Sequence, residues 1–311
     1  MPEEVVPLAE ELEAAIRLAK AAILGRPWVG DRGPELAREF AESARTGGRV
    51  GAVLRVGGAG VGIATWAPHG PLGASVHLFY VDPSHAAPET YARFWAGLAP
   101  LAGPIVFVPG EIAGLTEAEE SALMSGVGFA RFGRSEMQFQ GDVPPPVGGG
   151  LAGALRPVGP ADSAELARLH RLAYHSRFDR YLFLEEDDEV ADAQRMVRDL
   201  FAGRWGAFCP EGSRAVEVDG RLVAAVLSTR RPEGALIADV VVDPALQGKG
   251  LGGAVLSAAV ADLLGAGIRP VTLNVTEGND RAARLYERLG FVRTLGPSRD
   301  WYDPRRIPFP P

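Results

Sequence analysis

The chain has 311 residues, 47% of them hydrophobic, and a formal net charge of −7. That length exceeds one typical domain and predicts two, while the acidic balance argues against nucleic acid as a partner. Cys209 is the single cysteine, which excludes an intrachain disulfide and a cysteine-cluster metal site; the five histidines lack metal-ligand spacing, so no metal is expected.

The N-terminus starts acidic and amphipathic, without the basic and apolar regions of a signal peptide. No apolar run is long enough to span a bilayer, so a soluble, cytoplasmic protein with no membrane partner is expected. Residues 10–45 read as leading helices. Residues 51–56 and 61–66 read as a hairpin turning at Gly57 and Gly58, and residues 76–81 as a further strand ending in Val81-Asp82-Pro83. Residues 141–150 are dominated by proline and glycine with no helical or strand period, which marks a linker. Domains are therefore expected at 1–141 and 152–311, joined by residues 142–151. The second half repeats the first: a hairpin from 215–218 and 222–227 turning at Asp219 and Gly220, then a strand ending in Val242-Asp243-Pro244. Leu123 to Phe129 matches Leu285 to Phe291 in the same way. Counterpart positions keep an offset of 161 to 162 residues, so the chain reads as an internal duplication.

The loop after Pro244 carries the chemistry. Gln247, Gly248, Lys249, Gly250, Leu251, Gly252 and Gly253 lie between an apolar β-branched strand and an amphipathic segment. Glycines at a helix start leave backbone N–H groups open to an anion, where the helix dipole also favours negative charge. A pyrophosphate cradle follows. Gly248, Gly250 and Gly253 also satisfy the dinucleotide pattern, with Glu277 about where that pattern places a ribose-binding acid. Against that, residues 244–247 separate the strand from the glycines, and about two strands' worth of sequence remains after them.

Gln247-x-x-Gly250-x-Gly252 resembles the pyrophosphate loop of the GNAT superfamily of N-acetyltransferases. Downstream, Asn279, Ala282, Tyr286, Gly290 and Phe291 are similar to that family's N-x-x-A-x-x-x-Y-x-x-x-G-F signature. The resemblance covers residues 154–302. It implies α+β architecture: two tandem GNAT folds, each a mixed, mostly antiparallel sheet flanked by helices. It implies acetyl-CoA as co-substrate and direct acyl transfer to a primary amine of a small molecule or peptide, an amino-sugar conjugate being one option. Gln247 to Gly253, Asn279 and Ala282 would hold coenzyme A, and the backbones of Val240, Val241 and Val242 would meet the pantetheine arm. Tyr286 would be the general acid. Asp239, alone ionisable in its strand, is either the group that orients or deprotonates the amine or a structural aspartate. His170, His175 and Tyr181 are candidates for the acceptor pocket. The acidic run 185–189 either attracts a cationic amine or starts a solvated helix. A CoA-binding regulatory or interaction protein without turnover is the alternative function, and monomer and homodimer both remain open.

The first copy lacks this chemistry. Glu89 and Tyr91 stand where the second copy has Gly250 and Gly252, Pro88 removes an N–H donor, and Met124 stands for Tyr286. A degenerate, non-catalytic copy is expected.

Overall fold

The computed structural model describes residues 3–25, 32–144, 153–175 and 177–307. Most of the expected linker at 142–151 lies outside them. The chain forms two compact units, one of residues 1–132 with 299–308 and one of 133–298 with 309–311.

In the first unit, β1 (Glu3–Pro7), β2 (Val50–Val56), β3 (Ala59–His69) and β4 (Gly73–Val81) run antiparallel in that order. Gly57 and Gly58, both at positive φ, make the predicted turn between β2 and β3. β5 (Ile105–Val108) then pairs parallel with β4. One face packs on α1 (Leu12–Leu24), with Leu18 against Val53 and Ile63. The other packs on α3 (Pro88–Ala102), which buries Tyr91, Phe94 and Leu98. α2 (Gly33–Arg45) packs on α1, and α4 (Glu117–Gly126) begins with a capping box made by Thr116 and Glu119.

The second unit repeats this plan. β8 (Ala154–Pro157), β10 (Arg214–Val218), β11 (Arg221–Arg231) and β12 (Gly234–Val242) run antiparallel, and β13 (Val271–Thr276) pairs parallel with β12. A short β9 (Ala207–Phe208) adds to β11. The turn at Asp219 and Gly220 has positive φ at both residues, as the sequence predicts. α5 (Ser163–Tyr174) and α7 (Glu189–Phe201) cover one face, with Leu166, Leu169 and Val197 against Ala215, Ala225 and Val241. α8 (Leu251–Gly265) and α9 (Asp280–Arg288) cover the other, with Val255, Leu256 and Val260 against Ala224 and Val226.

The boundary expected at residue 141 does not separate the units. β7 (Arg134–Phe139) lies in the second sheet, between β13 and β14 (Phe291–Leu295). β15 (Asp300–Tyr302) lies in the first, between β5 and β6 (Ala130–Phe132). Each copy has given its closing strand to the other. Met137 and Phe139 are buried in the second core, and Trp301 in the first, where its indole N–H donates to Glu120 at 2.7 Å. Composition marks where the sequence lacks a helical or strand period, but a linker says nothing about which sheet the strand before it joins.

Candidate active site

The site begins where two parallel strands part. β12 and β13 pair only from Ala235–Val271 to Ile237–Leu273. Past Ile237, a bulge at Ala238 shifts the register of β12 on β11, and bulges bend the strand that carries them. Val240, Val241 and Val242 keep their ladder to β11 but have no partner on the β13 side. That edge exposes backbone donors and acceptors, of which the Val242 carbonyl already accepts from Gln247 Nε2 at 3.3 Å. The gap widens into a cavity of about 530 Å³, lined by Asp239, Val240, Val242, Asn274, Thr276 and Tyr286 among others.

The glycine-rich loop closes one end of this cavity. Asp243 caps a 3-10 turn at Pro244–Leu246 by accepting from the Ala245 N–H at 3.0 Å. Gly248 and Gly250 follow at φ 84° and 81°, and Gly250 is the left-handed N-cap of α8. That cap supplies no side-chain acceptor. The N–H groups of residues 248–253 have no acceptor among the described residues, so a run of donors joins the positive end of the helix dipole. A Cβ on Gly252 would meet Val242 Cγ2 at 3.2 Å and Leu285 Cδ2 at 3.6 Å. Gln247, Gly248, Gly250, Leu251, Gly252, Gly253, Asn279 and Ala282 all line the cavity. Lys249 and Val241 do not: Val241 turns its side chain into the opposite core against α5. Arg281, which the sequence reading missed, donates to Gln247 Oε1 at 2.7 Å and lines the same end. Its place in the first turn of α9 is the signal that could have found it.

Tyr286 is 8% exposed. Its hydroxyl has no hydrogen-bond partner among the described residues. Burial, reinforced by the nearby carboxylates of Asp239 and Asp179, pushes its proton affinity well above that of an ordinary phenol. α9 holds it in place through Asn279, whose side chain accepts from the Ala282 N–H at 3.4 Å.

Asp239 is held from both sides. Its Oδ2 meets His170 Nδ1 at 2.9 Å, and its Oδ1 accepts from the Tyr174 hydroxyl at 2.9 Å. His170 and Tyr174 sit one helical turn apart on α5 and stack at 4.5 Å. Burial, with Asp239 and Asp179 beside it, keeps Tyr174 protonated far above the usual range. A carboxylate can only accept, so His170 Nδ1 carries a proton, and in the neutral ring Nε2 is then an acceptor. Nε2 has no partner among the described residues, and His170 lines the cavity. Asp179, in the short helix α6 (Asp179–Leu182), hydrogen-bonds Thr276.

Other expected pocket residues lie elsewhere. His175 is 65% exposed at its side chain and bonds Glu189 at 2.9 Å; neither it nor Tyr181 lines the cavity. The acidic run starts α7 instead of facing an amine: Asp188 caps the helix, Glu185 pairs with Arg204 at 2.6 Å, and Glu189 with Arg180 at 2.6 Å. Among the described residues no cluster of metal-ligating side chains occurs, and no helix is long and apolar enough to cross a membrane.

Residues 164–291 match the model of the Acetyltransferase (GNAT) family. A mycothiol acetyltransferase of Mycobacteroides abscessus is 32% identical over 143 residues, 44% of this chain and 45% of that protein. One of Thermomonospora curvata is 40% identical over 112 residues, 36% of this chain and 37% of the relative. The chain thus spans less than half the length of the curated relatives it matches. Among solved structures, a tandem GNAT protein from the clavulanic acid biosynthesis pathway superposes with a TM-score of 0.56 at 17% identity, covering 96% of this chain and 98% of its own. A GCN5-related N-acetyltransferase from Sphaerobacter thermophilus gives 0.60 at 19% identity, covering 97% and 95%. These likenesses establish the fold over nearly the whole chain.

Proposed function

We propose that this chain, whose second half is a GNAT-family acetyltransferase domain, transfers an acetyl group from acetyl-CoA to a primary amine by direct attack. One observation carries the reading: an unpartnered, protonated Tyr286 hydroxyl shares a cavity with an uncapped helix start and an unpaired strand edge. The N–H groups of residues 248–253, with Arg281 behind them, suit a pyrophosphate. The open backbone of Val240 and Val242 suits an extended amide-bearing arm. Tyr286 then stands to protonate the leaving thiolate. An ammonium cannot attack, so the amine must first lose a proton. His170 Nε2 is the acceptor we assign, with Asp239 holding the ring in that tautomer and stabilising the imidazolium. Asp239 is on this reading a positioning residue, which refines the role expected of it.

The relatives are named mycothiol acetyltransferases, and an amino-sugar conjugate is one acceptor to assay. Release of free thiol from acetyl-CoA across a panel of amines tests the reading. Coenzyme A binding without thiol release on any amine would favour the regulatory alternative.

A further inference from the structure

The geometry points to an acceptor that carries an anionic group besides its reacting amine, with Arg134, Arg177 and Arg231 as its receptors. The inference rests on the acyl-transfer reading and concerns the acceptor side of the same cavity. Sheet register places the cations. Asp239 is paired with Leu227, and Leu227 packs toward α5, so Arg231, four residues on along β11, shares that face. Asn274 and Thr276 alternate onto the same side of β13, where Thr276 meets Asp179 of α6. Arg134 on β7 lies opposite Thr276 and faces the same way. Its guanidinium lies over the Phe183 ring at 5.6 Å. Arg177 joins from the segment between α5 and α6, and all three line the cavity.

Their charges are not neutralised by the protein. Arg180 is taken by Glu189, and Arg195 by Asp192 and Asp199 at 2.9 Å each. Among the described residues Arg134, Arg177 and Arg231 have no carboxylate partner, and the buried Arg134 Nε has no hydrogen-bond partner. A buried donor left unmatched is costly, and a planar fork stacked on a ring presents its N–H edge to a carboxylate or phosphate. The pyrophosphate does not need these groups. Its cradle is built on α8 and α9, on the other face of the sheet, with Arg281 as its cation. Of the three acids lining the cavity, Asp192 is taken by Arg195, and Asp239 and Asp179 are left to favour the amine. An acceptor bearing both signs matches this division, and a polyamine does not.

Matched pairs of amines with acetyl-CoA and the full chain test this: leucine against leucinamide, 4-aminobutyrate against 4-aminobutanamide, and phosphoethanolamine against ethanolamine. Spermidine and glucosamine serve as arms without an anion. At least one acid should exceed its neutral partner in kcat/KM by about 10- to 100-fold, as expected when a charged hydrogen-bond partner is matched in a buried site. Which pair shows it separates carboxylate from phosphate. Arg134→Gln and, separately, Arg231→Gln should collapse that ratio, chiefly through KM, with coenzyme A affinity retained. Preference for neutral amines, spermidine or glucosamine overturns the inference, as does a ratio that survives both variants. If no amine releases thiol, the acyl-transfer reading fails by itself. Calorimetry of the same pairs on CoA-saturated protein then decides, and equal or absent binding of the acids overturns the anion site.

Discussion

The two copies differ most sharply at the start of their third long helix. In the second, Gly252 leaves the space beside Val242 open. In the first, Tyr91 stands at the matching position, fully buried. Its hydroxyl accepts from the Val81 N–H at 3.0 Å and donates to the Ala113 carbonyl at 2.8 Å. Val81 matches Val242, so one side chain occupies the strand edge that its counterpart leaves free. Burial raises the Tyr91 pKa far above that of a free phenol, as expected of a group built into a core. Phe79 packs edge-on against the same ring at 5.1 Å, and Met124 is buried where the second copy has Tyr286. A space left open in one copy has been filled by the fold's own side chains in the other. The difference is a matter of a few residues, not of architecture.

The strand exchange gives the largest expected effect. A chain of residues 152–311, cut where composition suggests, lacks β7 and so loses the strand between β13 and β14. It should be insoluble or unfold without cooperativity, whereas residues 133–298 should fold and bind coenzyme A. Cooperative unfolding and full CoA affinity in the 152–311 fragment, measured by calorimetry, would show that the exchange does not matter for stability.

Installing the first copy's residue in the second tests the cradle comparison directly. Gly252→Tyr should reduce coenzyme A affinity by at least about 100-fold, since the ring would displace the ligand from the Val242 edge. Position 252 is helical, so the substitution carries little backbone strain. Retained affinity in isothermal titration would mean the ligand does not use this edge.

Tyr286→Phe converts the second distinguishing residue. Turnover should fall by roughly 10²- to 10⁴-fold with little change in acetyl-CoA affinity, as expected for an acid that acts in the transition state. Because the folded-state pKa is raised, Tyr286 stays protonated on the alkaline side, and kcat should show no falling limb from it below about pH 10. A limb in that range that vanishes in the variant would contradict the assignment.

The smallest effect is on stability against acid. Hydrogen bonds from Arg156, Arg168 and His175 hold Asp162, Glu165 and Glu189 below the usual carboxylate range. Depressed acids stabilise the fold above their unfolded pKa values, near 4, and that contribution is lost as pH falls through the lower folded values. The urea midpoint should stay flat between pH 8 and 5 and drop below about pH 4. A decline already evident at pH 6 would point to other groups.

Local signals carried the sequence reading far. Hairpin turns, the paired helices, the cradle and the filled first copy all rest on short stretches whose glycines and apolar periods act within a few residues. Asn279 and Tyr286 stood out for the same reason, and both line the cavity. What stayed hidden depends on long-range pairing. Asp239 meets His170 from 69 residues away, so its partner was invisible even though both residues stood out singly. Val241 was grouped with its neighbours, but strand alternation turns it to the other face. The run at 185–189 could not reveal that Arg204 and Arg180 neutralise it. The exchanged strands β7 and β15 were not read from the sequence at all, since the sheet a short strand joins is decided by distant partners.

That exchange sets a timetable for biosynthesis. When the ribosome has delivered the first half, β5 and β6 still lack the strand that belongs between them, which arrives with residues 300–302. The first sheet cannot close until residue 302 has emerged, so the nascent first half must wait with strand edges open to chaperones. A prematurely terminated message yields two incomplete sheets instead of one sound domain. In evolutionary terms, the exchange also binds the two copies' fates: a deletion that removes the first copy carries off a strand of the second copy's sheet.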